Sequence, residues 1–176
     1  TVSNVNEAPT ITSAATASFA ENGSGTVYTA AASDLDAGAT LTYSISGADA
    51  SLFNIDATTG VVTFKSSPNF EAPGDAGGNN VYDVKVTASD GTLSSSKDVA
   101  ITVVNANDAP TASAVIANQS INEDAGFSFA VPASSFADAD AGDSLTLSAT
   151  LADGSPLPAW LSFNPATQTF SGTPLN

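Results

Sequence analysis

Asn4-Val5-Asn6-Glu7-Ala8-Pro9-Thr10 returns as Asn105-Ala106-Asn107-Asp108-Ala109-Pro110-Thr111, 101 residues further along the chain. A proline-closed acidic segment repeated at that interval restricts the fold to tandem copies of one small unit. Further pairs keep the same order. Phe19-Ala20-Glu21-Asn22-Gly23 is answered by Ile121-Asn122-Glu123-Asp124-Ala125, and Asp34-Leu35-Asp36-Ala37-Gly38 by Asp138-Ala139-Asp140-Ala141-Gly142. A Leu-Thr pair follows in both copies, and Ile55-Asp56-Ala57-Thr58-Thr59 is answered by Phe163-Asn164-Pro165-Ala166-Thr167. The offset grows to 108, which places the insertions in loops.

The hydrophobic pattern inside each copy has period two. Tyr82, Val84, Val86 and Ala88 alternate with Asp83, Lys85 and Thr87, as in an antiparallel strand with one solvated face. Runs of this kind arrive every eight to twelve residues between Gly, Asp, Asn and Pro turns, the spacing of a β-sandwich. In repeat 1 strands are expected at 10–17, 27–32, 40–46, 51–55, 61–64, 81–89 and 94–104. In repeat 2 they are expected at 112–121, 126–131, 145–149, 159–163 and 168–172. The fold class that follows is all-β: two tandem Ig-like Greek-key β-sandwiches, the second incomplete. Repeat 2 has no counterpart of 81–89 and 94–104, so those strands are expected to come from elsewhere, first of all from later sequence of a longer polypeptide. The expected layout is a linker at 1–8, a first domain at 9–104, a metal-binding linker at 105–110 and a truncated second domain at 111–176.

Charge narrows the chemistry. Eighteen Asp and Glu face three Lys and no Arg, for a net charge of −15. Such a field repels nucleic-acid phosphate and anionic headgroups and attracts cations. Without His, a Ser-His-Asp triad is impossible, and without Cys there is no thiolate cage. Only hard oxygen donors remain, which favours calcium over zinc, copper or iron. No stretch is long and apolar enough for a membrane span, so a soluble piece of a longer chain is expected.

The residues at the repeat junctions resemble the cadherin superfamily in its bacterial adhesin branch, over all of repeat 1 and repeat 2 as far as it runs. The resemblance implies calcium between successive sandwiches. Its first ligand set is Glu21 of Phe19-Ala20-Glu21-Asn22, Glu71 of Asn69-Phe70-Glu71, linker donors Asn105, Asn107 and Asp108, and the Asp-x-Asp pair Asp138 and Asp140. A second set, Asn4, Asn6, Glu7, Asp34, Asp36 and Asp90, lacks an upstream Glu pair and is expected to bind more weakly or stay empty. The linker is one residue shorter than the usual family linker and begins with Asn, which favours one or two ions over three. Leu157-Pro158-Ala159-Trp160-Leu161 and Phe170-Ser171-Gly172-Thr173-Pro174 look like the dystroglycan-type cadherin-like domain, also described as an Ig-like module of bacterial surface proteins.

Asp and Asn also occupy turns, where they satisfy local backbone donors. That reading is expected for Asp49, Asp56, Asp75, Asp98 and Asp153, at turns or on the surface. It does not explain donors that recur in register. Trp160 is expected in the core, Tyr28, Tyr43 and Tyr82 inward, and the glycosylation sequons Asn22-Gly23-Ser24 and Asn118-Gln119-Ser120 carry little weight. The chain is therefore expected to be a pair of calcium-rigidified extender repeats from a secreted bacterial adhesin at the cell surface, of the kind that supports biofilm. They would serve cell adhesion by holding distal domains away from the surface. Calcium ions and neighbouring repeats are the expected partners, with no nucleic acid, membrane insertion or enzymatic activity. The alternative is a calcium-dependent module binding carbohydrate or another adhesin domain.

Overall fold

The computed structural model describes residues 3–175; Thr1 and Val2 of the expected linker, and Asn176 of repeat 2, lie outside it. The described residues are all-β, with short 3₁₀ turns at Ala50–Leu52 and Ala133–Ser135 and no α-helix. The chain divides into two compact units, Thr1–Ala106 and Asn107–Asn176.

The first unit runs β1 (Thr10–Ile11), β2 (Thr16–Ala20), β3 (Thr26–Thr29), β4 (Ala32–Ser33), β5 (Thr42–Ser46), β6 (Phe53–Ile55), β7 (Val61–Phe64), β8 (Val81–Ser89) and β9 (Ser94–Val104). One sheet has the order β2-β9-β8-β5, a second β3-β7-β6, and β1 pairs with β4. The alternation read from the sequence sets the faces. Tyr82, Val84, Val86 and Ala88 on β8 are buried with Val99, Ile101 and Val103 on β9, against Val27, Phe53 and Val62 of the other sheet. Val62, Val86 and Ile101 have no exposed surface. Burying each such side chain contributes about 1.5–3 kcal/mol. Phe53, Phe64 and Tyr82 form one aromatic cluster, with Phe64 edge-on to Tyr82 at 5.0 Å between centroids.

The strands expected at 81–89 and 94–104 match β8 and β9. The strand expected at 10–17 is broken instead. β1 pairs with β4, and after residues 12–15 the chain joins the other sheet, where β2 runs parallel to β9. Two side chains hold the break. The Tyr28 hydroxyl bonds Ser13 Oγ and donates to the Ala14 carbonyl at 2.6 Å, while Lys97 Nζ donates to the carbonyls of Ile11 and Ser13. The strand expected at 27–32 likewise divides into β3 and β4. Tyr28 and Tyr82 face inward and are buried, while Tyr43 is half-buried.

Asp49 and Asp75 sit in turns, in keeping with one part of the expectation, but not on the surface. They are 3% and 7% exposed. The Asp49 carboxylate accepts the amides of Ala76 and Asp83, both at 2.7 Å, and so fastens the loop before β8 to that strand. Asp75 accepts the amides of Asn79 and Asn80 at 3.0 and 2.9 Å. Both are enclosed because their carboxylates replace missing backbone partners inside a loop, a demand that local sequence does not reveal.

The second unit contains β10 (Thr111–Ala112), β11 (Phe127–Ala130), β12 (Phe136–Ala137), β13 (Leu161–Asn164) and β14 (Thr169–Gly172). Its sheets are β11-β14-β13 and β10-β12. Phe163 and Phe170 stack across β13 and β14 at 4.7 Å. The strand expected at 112–121 keeps only its first residue in a ladder, and the one expected at 145–149 joins none. Trp160, expected in the core, is half-buried. Among the described hydrophobic residues of this unit only Val131, at 8% exposure, is buried. The shared reason is that the described residues hold no second sheet over β11-β14-β13.

Candidate metal centre

The Asp-x-Asp segment of the first unit follows directly from β4, and its geometry is local. The Asp36 amide donates to Asp34 Oδ1 at 2.8 Å, which closes an Asx turn. The N-terminal segment then packs on this turn. The Glu7 amide donates to Asp36 Oδ2 at 2.9 Å, and Asn4 Nδ2 donates to Asp36 Oδ1. Asn6 Nδ2 donates to Asp90 Oδ2 at 2.7 Å. The amides of Leu93 and Thr92, with the Asn6 side chain, hold the Asp90 carboxyl below its ordinary pKa, so it carries its charge firmly.

Asn4, Asp34 and Asp36 are thus linked by hydrogen bonds, Asn6 is bonded to Asp90, and Asn4, Asn6, Asp36 and Asp90 border one cavity, while Glu7 takes part through its backbone amide. The carboxylates of Asp34, Asp36 and Asp90 do not gather as closely as those of Asp138, Asp140 and Asp143. Asp34 Oδ2 is buried and has no hydrogen-bond partner. A buried carboxylate oxygen without a donor is costly unless a cation or proton meets it. An all-oxygen set with such an atom fits a hard divalent cation of the calcium type. The two amide groups now occupy the space between acids with their N–H₂ ends, and a half-turn of either presents an oxygen instead.

At the other end of the first unit, Glu21 follows β2 and is 2% exposed. Its Oε2 accepts the Phe70 amide at 2.7 Å and its Oε1 the Ala106 amide at 2.9 Å. Oxygens of Glu21 and Glu71 come within 4.8 Å of one another, and Asn105 Nδ2 donates to Glu71 Oε1 at 3.2 Å. Asn80, at φ +62°, fixes the loop that carries Glu71: its Nδ2 donates to the Phe70 carbonyl at 2.8 Å.

In the second unit the first unit's turn recurs atom for atom. The Asp140 amide donates to Asp138 Oδ1 at 3.0 Å, and the Asp108 amide to Asp140 Oδ2 at 2.6 Å. Asn107 turns its Nδ2 to the Asp108 carbonyl at 2.8 Å. Carboxylate oxygens of Asp138, Asp140 and Asp143 lie within 4.8 Å of one another. Asp143 is a donor that the sequence reading passed over. Comparing the repeats could not find it, because Ala39 stands at its place in repeat 1; the spacing Asp138-x-Asp140-x-x-Asp143 could.

Comparison with known proteins agrees with this architecture. A family described as "Putative Ig domain" matches residues 109–176, within the second unit. Human protocadherin-24 EC1-2 superposes with a TM-score of 0.56 at 18% identity, covering 96% of this chain and 78% of that one. Mouse cadherin-23 EC22-24 gives 0.54 at 20%, covering 98% and 56%. Drosophila N-cadherin EC1-3 has 26% identity over 57% of this chain, at a TM-score of 0.49. The chain spans 35% of that N-cadherin structure. No curated protein sequence matches. The structural neighbours are cadherin ectodomains, and the fold of this chain is a cadherin-like, Ig-like β-sandwich architecture.

Proposed function

We propose that this chain is a pair of calcium-rigidified extender repeats from a secreted bacterial surface adhesin. The observation that carries the reading is the duplicated turn in which Asp36 and Asp140 each accept the amide of the acidic residue two before the junction proline, Glu7 and Asp108. The unpartnered Asp34 oxygen inside one copy supports a cation as its partner. Connectivity supports a shared ion at the linker. Glu21 grips the amide of Ala106 and Asp140 that of Asp108, and only Asn107 lies between those two residues. Calcium there would draw on Glu21, Glu71, Asn105, Asn107, Asp108, Asp138 and Asp140, with Asp143 added. The N-terminal set would use Asn4, Asn6, Glu7, Asp34, Asp36 and Asp90.

Calcium supplies charge neutralisation and six to eight oxygen contacts, which restrain whatever segments donate them. Without it the carboxylates repel, a suitable state for a chain kept apart until it reaches calcium-rich surroundings. An extracellular site of this kind is the natural setting, and no helix among the described residues is long and apolar enough to cross a membrane. The adhesion role follows from the cadherin-like fold together with these donors, and no nucleophile with a matched base stands among the described clusters to argue for catalysis.

Thermal unfolding across a calcium titration tests the reading. At calcium ten times the dissociation constant, each site adds about 1.4 kcal/mol. An unchanged midpoint between excess chelator and millimolar calcium would refute the assignment.

A further inference from the structure

A cavity of about 270 Å³ opens beside the aromatic cluster of the first unit, between the end of β7 and the loop that leads to β8. Leu52, Phe64, Pro68 and Tyr82 wall it, and Lys65 and Asn69 stand at its border. No Asp or Glu is among the described residues that line it, in a chain that carries eighteen. Pockets for drug-sized ligands hold roughly 300–1,000 Å³, so this one suits a molecule of a single ring.

The polar groups around it are mostly left with hydrogens to give. Tyr82 is 2% exposed, and its hydroxyl oxygen accepts the Gly74 amide at 3.3 Å, but no described residue accepts its proton. A buried O–H without an acceptor is costly until one is supplied. Lys65 Nζ donates to the Ser51 carbonyl at 2.6 Å, meets no carboxylate among the described residues, and keeps its other N–H groups. Asn69 Oδ1 is taken by the Ala72 amide at 2.7 Å, which leaves Nδ2 as the free end of that side chain. Nearby backbone acceptors are taken too: the Pro68 carbonyl by the Asn22 amide at 3.0 Å, and the Leu52 carbonyl by the Lys65 amide at 2.9 Å. Only the hydroxyls of Ser66 and Ser67 at the rim are able to accept.

We propose that this cavity binds a small aromatic carboxylate with a second oxygen on its ring, the hydroxybenzoate class. The carboxylate meets Lys65 and Asn69, and the second oxygen accepts the Tyr82 proton. The ring lies against Leu52, Phe64 and Pro68, where it extends the edge-and-face contacts that Phe53 and Phe64 already make with Tyr82. A sugar acid fits the same cation less well. Its several hydroxyls need acceptors as well as donors, and apolar walls leave them unpaired. The acidic charge of the chain does not forbid an anion here, because exposed charges beyond about 10 Å are largely screened at ordinary salt. The site lies within the first unit and is independent of the metal reading.

The test titrates 4-hydroxybenzoate into the whole chain in excess chelator and follows amide shifts by NMR. Saturable shifts should gather at Leu52, Lys65, Asn69, Gly74 and Tyr82. The neutral 4-hydroxybenzamide should bind about threefold more weakly, the worth of a partly exposed charge pair. Lys65→Gln should remove that difference between acid and amide, and Lys65→Arg should restore it. Tyr82→Phe should weaken 4-hydroxybenzoate and leave plain benzoate unchanged. Lys65 is exposed, so its two variants decide the matter even where Tyr82→Phe loosens the core. Absence of saturable shifts at these residues up to the solubility of the probe would overturn the proposal. So would equal affinity for acid and amide in the unaltered chain. Tighter binding of glucuronate at the same residues would make this a sugar-acid site and would overturn the aromatic class.

Discussion

Replacing Glu21 by Gln probes the side chain that ties the Glu71 loop to the departing chain. At 2% exposure, each Glu21 oxygen receives one backbone amide, from Phe70 at 2.7 Å and Ala106 at 2.9 Å. Gln keeps one acceptor and turns an N–H₂ group toward the other donor. One charge-assisted hydrogen bond is lost, worth about 1.5–3 kcal/mol. In excess chelator the first unit should therefore lose about 2 kcal/mol, or roughly 8–16 °C at 4–8 °C per kcal/mol for a domain of this size. The chain provides its own optical control. Tyr28, Tyr43 and Tyr82 all lie in the first unit, and Trp160, the single Trp, lies in the second. Near-ultraviolet circular dichroism should show the tyrosine transition moving down while Trp160 fluorescence keeps its midpoint. A tyrosine shift under about 2 °C would refute the reasoning. So would an equal shift of both signals, because the bond would not then be local to the first unit.

Asp34→Ala removes the buried, unpartnered oxygen and its twin; calorimetric calcium titration should lose the N-terminal site while the linker site remains, and two intact sites would contradict the ligand assignment. Burial pushes the Asp75 carboxyl up, but the amides of Asn79, Asn80, Asp75 itself and Gly77 together outweigh it and leave it below the ordinary 3.8. Its contribution is therefore complete above the unfolded value and lost as pH falls through the lowered one; carboxyl-carbon NMR should place its midpoint below 3.8, and a midpoint at or above it would refute the account. Gly60 sits at φ +71°, and a Cβ there would stand 2.3 Å from the Ala30 carbonyl oxygen, so Gly60→Ala should cost about 2–3 kcal/mol in urea unfolding. By contrast, the Lys85–Asp98 pair, 2.7 Å apart, has side chains 48% and 82% exposed, and Asp98→Ala should change stability by less than about 0.5 kcal/mol.

Where the sequence was legible, one residue carried one instruction. Tyr82 to Ala88 alternate without interruption, and β8 follows that pattern from end to end. Asp34 and Asp36 lie two residues apart, and the turn they make depends on nothing distant. Legibility failed where a residue serves two partners remote in sequence. The apolar run 10–17 reads as one strand, but Tyr28 and Lys97 break it so that its ends can join different sheets. Asp49 resembles any loop aspartate until Ala76 and Asp83 are seen to share its carboxylate. Leu145 to Ala149 has strand periodicity, yet a ladder needs a neighbour, and no described residue supplies one.

The parallel pairing of β2 with β9 has a mechanical meaning. The first long strand of the unit and its last lie side by side, joined from Thr16 opposite Ala100 to Ala20 opposite Val104. Tension entering near Pro9 and leaving near Asn105 pulls the two strands past each other along their length. All the bonds between them then bear the load together. An antiparallel pair pulled from one end would open a bond at a time. A repeat built this way is suited to transmit force, and its weakest direction is not the one in which a tethered chain is stretched.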